Sequence, residues 1–423
     1  MTLSTNPDPH GPRNHTMLAQ ACFALALIAA PAPADTEAPL PDPLVKLDGR
    51  RVADRDEWVK VRRPELKRLF EERMYGKAPD APDNLKAAVI RVDREYLGGK
   101  ATLKEVSISY GPAGTPPIGM LLIIPNHRKG PAPAFVGLNF AGNHCAVADP
   151  KVALPTTWMP ASSPGVKDNR ATEAGRGKQV DTWPVETIID RGYALATAYC
   201  GDIAPDHPGH ADGVHPHYPG HDWGTVAAWA WGLSRMADAL ALDPDVDSSK
   251  LAVVGHSRLG KAALVAGAFD PRFAAVIPHQ AGCGGTAPSR GTVGESVKRI
   301  NTVFPHWFND AFKTYNDDPS RLPFDQNALA ALVAPRPLLF SNAVEDTWAN
   351  PEGQFRVLKA AEPAYALMGA GGLNAASMPE VNHLVDSTLG YVIRPGKHSM
   401  SPPDWVFFLD FADRNLGKPG AAR

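Results

Sequence analysis

Cysteine is scarce in this sequence: there are four in 423 residues, and Cys22 falls in an N-terminal apolar run. The other three, Cys145, Cys200 and Cys283, match no zinc-ligand spacing. An odd number cannot all pair with one another, so a disulfide-dependent scaffold is not expected. One bridge among the three is possible, and the sequence assigns none. An excess of charge of one sign is missing too. Lys and Arg number 43 against 45 Asp and Glu, a net of −2, with no basic block or basic helix face. Nothing in that pattern suggests a nucleic-acid partner. No internal repeat is present.

Long hydrophobic runs are absent with one exception, "MLAQACFALALIAAPAPADTEAPL", which begins at Met17. Pro31 and Pro33 cut it short of a membrane span, and Ala32-Pro33-Ala34 is an A-x-A-like cleavage site. Residues 1–34 are therefore expected to be a signal peptide or leader, with Met17 as an alternative start. Cys22 stands at the beginning of the run rather than after it, which argues against a lipoprotein anchor. The protein is expected to be exported, periplasmic or secreted, with no membrane association once the leader is removed.

What is present suits a globular chain, 44% hydrophobic and 21% charged, and residues 35–423 are expected to form one domain. The 42 prolines and 37 glycines imply many loops. Residues 42–82 are charged and helical in pattern. Three strand-like runs follow at Ala87–Val92, Val106–Tyr110 and Ile118–Pro125, closely spaced as antiparallel strands are. Apolar strands then alternate with long connections, at 134–140, 192–200, 250–257, 273–280, 335–343 and 390–395. Continuous apolar strands imply a parallel sheet covered by helices on both faces. One such helix is expected over 223–242, apolar almost all round. Residues 150–184 form a long polar stretch, either a functional insertion or disordered.

The run "LAVVGHSRLGKAAL" (251–264) carries the chemistry. A strand leads into Gly255-His256-Ser257, the shape of an elbow that presents a nucleophilic serine at a helix N-terminus. Leu259 occupies the second glycine position of G-x-S-x-G, and Gly260 follows it. The alternative is a buried strand whose next helix is merely capped by Ser257. Order favours the catalytic reading. Asp346 follows one late strand and His398 another, giving Ser…Asp…His with each partner beyond the C-terminal end of a strand. Arg258 beside the serine suits an oxyanion next to a polar acyl group and argues against a lipase. Lys261 has the same polar bias.

The longer run "GHSRLGKAALVAGAFDPRFAAVIPHQAGCGG" resembles the glucuronoyl esterases, carbohydrate esterase family fifteen, above all their bacterial branch. Its nucleophile motif is G-x-S-R-x-G-K, with arginine at the position occupied here by Arg258. "FVGLNFAGNH", "GESVKRINTVFPHWF", "DTWANPEGQF" and "YVIRPGKHSMSPPDW" extend the resemblance over about residues 45–416. It implies an α/β-hydrolase fold, a three-layer α/β/α sandwich with a mostly parallel sheet and antiparallel N-terminal strands. It also implies cleavage of the ester joining (4-O-methyl-)glucuronic acid of glucuronoxylan to lignin alcohols, through a glucuronoyl-serine intermediate and without metal or cofactor. By motif match, Ser257 is the nucleophile, His398 the base, Arg258 the oxyanion stabiliser, Lys261 and Glu295 contacts to sugar hydroxyls, and Trp348 the aromatic wall.

One position departs from that pattern. Many members carry the triad glutamate where Gln280 stands. Gln280 can accept a bond from the histidine or meet the substrate but supplies no charge, so Asp346 is expected to be the acid. Restoring the charge with Gln280→Glu is then a route to higher activity. The histidines His207, His210, His215, His217 and His221 are too irregularly spaced for a metal site. His144 is expected to be structural rather than an oxyanion donor. The 150–184 segment is expected to wall the cleft. The expected whole is a monomeric, exported esterase. Its rivals are an acetyl xylan or general carboxyl esterase and a carbohydrate-binding pseudo-hydrolase.

Overall fold

The computed structural model describes residues 39–209 and 212–419, so the expected leader lies outside the described residues. Ten strands form one sheet: β1 (Lys86–Tyr96), β2 (Ala101–Ser109), β3 (Ile118–Pro125), β4 (Ala132–Asn139), β5 (Ala194–Tyr199), β6 (Val246–His256), β7 (Phe273–His279), β8 (Leu338–Ala343), β9 (Val385–Asp386) and β10 (Leu389–Arg394). Their order is β1-β2-β3-β5-β4-β6-β7-β8-β10-β9. From β5 to β10 the neighbours are parallel, while β1, β2 and β3 run antiparallel to one another and β3 to β5. This is the expected sheet, with the short antiparallel edge strand β9 added.

Side-chain alternation sends successive strand residues to opposite faces, and two separate cores result. Met120, Leu122 and Ile124 of β3 join one core with Val253 of β6 and the helices Thr225–Leu240 and Arg258–Phe269. Leu121 and Ile123 join the other with Val254, Ile188 and Ile189 of Val185–Asp190, and Trp405 and Phe408 of Pro402–Leu416. Helices on both faces make three layers. The Thr225–Leu240 helix is buried nearly all round because its outer side packs in turn against Tyr110 and Tyr218 through Trp231.

Strands β1 and β2 extend beyond their expected limits, because charge hides them. Lys104 and Glu105 occupy buried positions of β2, but Lys104 binds Asp243 and Asp245 while Glu105 pairs with Arg91 of β1. Buried charges are tolerated when paired in this way. At the other end of the expected range, helix spans Arg55–Tyr75 and stops at Gly76, whose φ of 79° ends it.

The 150–184 segment is irregular apart from one turn at Glu173–Gly175, yet it is tied down throughout. Arg176 donates to the carbonyls of Asp149 and Val152, Tyr199 donates to Trp158 O at 2.8 Å, and Trp405 donates to Thr182 O at 2.9 Å. Cys145, Cys200 and Cys283 are all buried free thiols.

Candidate active site

Strand β6 ends in a turn that holds Ser257 at φ 57° and ψ −125°, a costly conformation for a residue with a Cβ. Its N–H donates to His279 O at 2.9 Å, which ties the elbow to the end of β7. The glycine pattern has a geometric cause. A Cβ on Gly255 would lie 2.1 Å from Leu259 O, and one on Gly260 would lie 2.9 Å from both Gly255 O and His279 O. The close approach is thus made by residue 260. Leu259 instead points into the core at 1% exposure. The helix Arg258–Phe269 makes its first return bond from Lys261 N to Ser257 O. The N–H groups ahead of it are those a helix start offers to an anion.

Asp346 lies just beyond β8 and His398 just beyond β10, on adjacent strands, so the two meet. Asp346 Oδ2 accepts from His398 Nδ1 at 2.7 Å, and the carboxylate is 4% exposed. A carboxylate only accepts, so Nδ1 carries the proton and Nε2 is left as the base. The His398 loop is clamped from below. Arg394 binds Asp404 at 2.6 Å and Ser399 O at 2.7 Å, and His279 Nε2 lies 2.8 Å from Ser399 O. The His256 ring packs 4.5 Å from His398 and 5.2 Å from His279. Burial, and then His279 and His398, push the His256 imidazole well below its ordinary range, so it is a neutral platform.

Gln280 does not take the histidine's bond. Its Oε1 accepts from Ser399 N at 2.9 Å, so it anchors the loop next to His398 while Asp346 occupies Nδ1. Its Nε2 has no hydrogen-bond partner among the described residues. Gln280 also has a positive φ of 49°, set as the chain leaves β7 and its N–H bonds Ser341 O.

A cavity of about 320 Å³ brings Ser257, Arg258, Lys261, Gln280, Glu295, Asp346, Trp348 and His398 together. All eight residues singled out in the sequence therefore line one site. Lys261 is 4% exposed and donates to Ala281 O and Cys283 O at 2.5 and 2.6 Å; burial lowers its ammonium pKa, opposed by Glu295. Burial likewise raises the Glu295 carboxyl, against the pull of Lys261. Glu295 N donates to Trp348 O, which sets the two residues side by side, and Trp348 is 53% exposed, an open aromatic face rather than core. Arg258 spans the other side, with its guanidinium carbon 5.1 Å from the Trp307 ring centre.

Sequence reasoning missed the partners of Arg258. Asp206 pairs with Arg258, and its other oxygen accepts from His306 Nε2 at 2.8 Å and Trp307 Nε1 at 2.7 Å. Nothing marked Asp206, which sits in the loop "IAPDHPGH"; "FPHWF" stood within the family blocks without a role. Other candidates lie elsewhere. His144 is buried, its Nε2 3.5 Å from Cys145 Sγ, and outside the cavity lining. His215 Nε2 meets Trp223 O and His221 Nδ1 meets Lys77 O, while His210 is outside the described residues. The 150–184 segment does not wall this cavity. Residues 153–157 line a separate hollow of about 230 Å³ with Asp202, because Thr157 bonds Asp202 there.

The family model "Glucuronyl esterase, fungi" matches residues 183–369. A carbohydrate esterase, MZ0003, from an unknown prokaryotic organism is 45% identical over 387 residues, 89% of this chain and 89% of that protein. Among solved structures, a promiscuous CE15 esterase from a marine bacterial metagenome is 45% identical with a TM-score of 0.84, covering 89% of this chain and 97% of that one. A glucuronoyl esterase from Solibacter usitatus is 40% identical with a TM-score of 0.84, over 90% of this chain and 98% of that one.

Proposed function

The chain belongs to the glucuronoyl esterases of carbohydrate esterase family 15, and we propose that it cleaves the ester between (4-O-methyl-)glucuronic acid on xylan and a lignin alcohol. Ser257 Oγ attacks the ester carbonyl as His398 Nε2 takes its proton, and Asp346 holds the imidazolium that forms. The oxyanion faces the first N–H groups of the Arg258–Phe269 helix and the Arg258 guanidinium, donors worth ~10²–10³ in rate. Collapse expels the alcohol with the proton from His398, and water then releases the uronate from Ser257 by the same steps.

One observation carries the substrate reading: the cavity around the triad holds two cations, Arg258 and Lys261, beside Glu295 and the open face of Trp348. A hydrophobic acyl chain gains nothing from such walls. A sugar acid offers oxygens to the charged groups and a flat C–H face to the indole. The Asp346–His398 bond disfavours a pseudo-hydrolase, since a charged acid stands where one is needed. In this reading the leader over residues 1–34 exports a monomer whose catalytic domain is residues 35–423, placing it where plant cell-wall polymers are.

The test compares benzyl glucuronate with p-nitrophenyl acetate. A higher kcat/KM on the glucuronate ester, abolished by Ser257→Ala, is expected. Faster turnover of the acetate would favour a general carboxyl esterase, and binding of glucuronoxylan without hydrolysis would favour the pseudo-hydrolase.

A further inference from the structure

We propose that Asp206 is the positioning residue for Arg258, and that by occupying part of the guanidinium it lets the uronate product leave. The product half rests on the substrate reading above; the positioning half holds for any ester.

Asp206 does not line the cavity, but it pairs with Arg258, the lining cation next to Ser257 in the chain. One of its oxygens takes Arg258 Nη1; the other takes both His306 Nε2–H and Trp307 Nε1–H. A carboxylate only accepts, so His306 carries its proton on Nε2 here. Burial works against the charged form of Asp206, but the bonds from His306, Trp307 and Arg258 hold its carboxyl below the usual range. It is therefore a fixed anion with three donors. The guanidinium is also caged by rings, with its carbon 5.5 Å from Phe140, 5.6 Å from Phe304 and 5.1 Å from Trp307. Trp307 supplies one wall of the cage and one bond to Asp206, so the two devices share a corner. A long, flexible side chain is thereby held in one pose without a substrate present, which is what preorganised oxyanion stabilisation requires.

The same bond sorts substrate from product. A free arginine grips a carboxylate with two parallel N–H bonds through its fork. Here Nη1 already belongs to Asp206, which closes the end-on fork, and Nε is buried, which withholds the side-on fork. The single oxygen of a tetrahedral oxyanion needs only one strong donor, and Nη2 remains for it. The product uronate has two oxygens and a full charge, and it meets a guanidinium already half-occupied and neutralised. Hydrolysis creates that carboxylate beside Arg258 in every turnover, so a device that weakens its hold keeps the site from filling with product.

The experiment measures kcat, KM and inhibition by free glucuronate for wild type, Asp206→Asn, Asp206→Glu and Trp307→Phe, with benzyl glucuronate as substrate. Asp206→Asn is expected to lower kcat by about 10- to 100-fold with KM little changed, and to make glucuronate inhibit more tightly. Asp206→Glu, which keeps the charge, is expected to recover part of both. Trp307→Phe keeps an aromatic wall, though a smaller one, and loses the N–H donor to Asp206, so a smaller fall in kcat is expected; it carries the test if Asp206→Asn does not fold. Wild-type kcat and wild-type inhibition in Asp206→Asn, or in Trp307→Phe if that variant must stand in, would overturn the inference. If wild type itself ignores benzyl glucuronate, the substrate reading fails and the product half fails with it. The positioning half is then decided by kcat on p-nitrophenyl acetate.

Discussion

Asp346 and Gln280 divide between them what many relatives are expected to do with one glutamate. Asp346 holds the histidine's Nδ1 from the end of β8, and Gln280 holds the backbone of the neighbouring Ser399 from the end of β7. Replacing Asp346 with Asn leaves an amide that cannot stabilise the imidazolium, and kcat is expected to fall by about 10³- to 10⁴-fold. Gln280→Ala removes one loop anchor and strands the Ser399 N–H, a loss of about 1–3 kcal/mol in stability, with a far smaller loss of rate. Gln280→Glu keeps the oxygen that Ser399 uses while Nδ1 stays with Asp346. The gain in activity expected from the sequence is therefore withdrawn: unchanged or lower kcat is the expected result. Steady-state kinetics on the three variants decides; equal, small effects of Asp346→Asn and Gln280→Ala would remove Asp346 as the acid.

At the scale of elements, the elbow and the His398 loop are built from opposite materials. The elbow depends on the absence of side chains: Gly255 and Gly260 let β6 and the following helix nearly touch. The loop depends on their presence, through Arg394, Asp404 and His279. This makes an unusual outcome testable. Restoring the G-x-S-x-G spelling with Leu259→Gly would empty a core position and place a third glycine in the helix, beside Gly260 and Gly267. It is expected to cost about 3–5 kcal/mol. Gly260→Ala would force two backbone oxygens apart, costing about 1–3 kcal/mol and shifting Ser257. Urea denaturation measures both, and a Leu259→Gly protein as stable as wild type would refute the shifted-glycine geometry.

For the molecule as a whole, Asp202 links stability to pH. Burial raises its carboxyl to about 6, against the bonds from Thr157 and Gly119. An ordinary aspartate carboxyl titrates near 3.8. Between those values the folded chain holds a proton that the unfolded chain has released. Asp202's contribution is therefore fully present at low pH and is lost as pH rises through about 6. At ~1.4 kcal/mol per pH unit the loss is bounded at about 3 kcal/mol. Asp202→Asn, whose amide can bond both Thr157 and Gly119, is expected to stabilise the protein at pH 8 and to match wild type more closely at pH 4. Urea midpoints at the two pH values check this; an equal difference at both would show that Asp202 titrates normally.

The sequence by itself determined the alternation of strands and helices, the serine, aspartate and histidine in their order, and the cations beside the serine. Those are local facts: an apolar run is a strand wherever it packs, and a triad's partners follow strand ends. Charge defeated the same logic at Lys104 and Glu105, because only pairing across the sheet makes a buried charge acceptable. Tertiary structure alone decided which oxygen meets His398, that Gly260 rather than residue 259 makes the close approach, and that Asp206 stands behind Arg258. The contacts of His398, Ser399 and Arg258 join residues 52 to 119 apart in the chain, and Gly260 closes on the end of the next strand at His279; short-range periodicity carries no information about either.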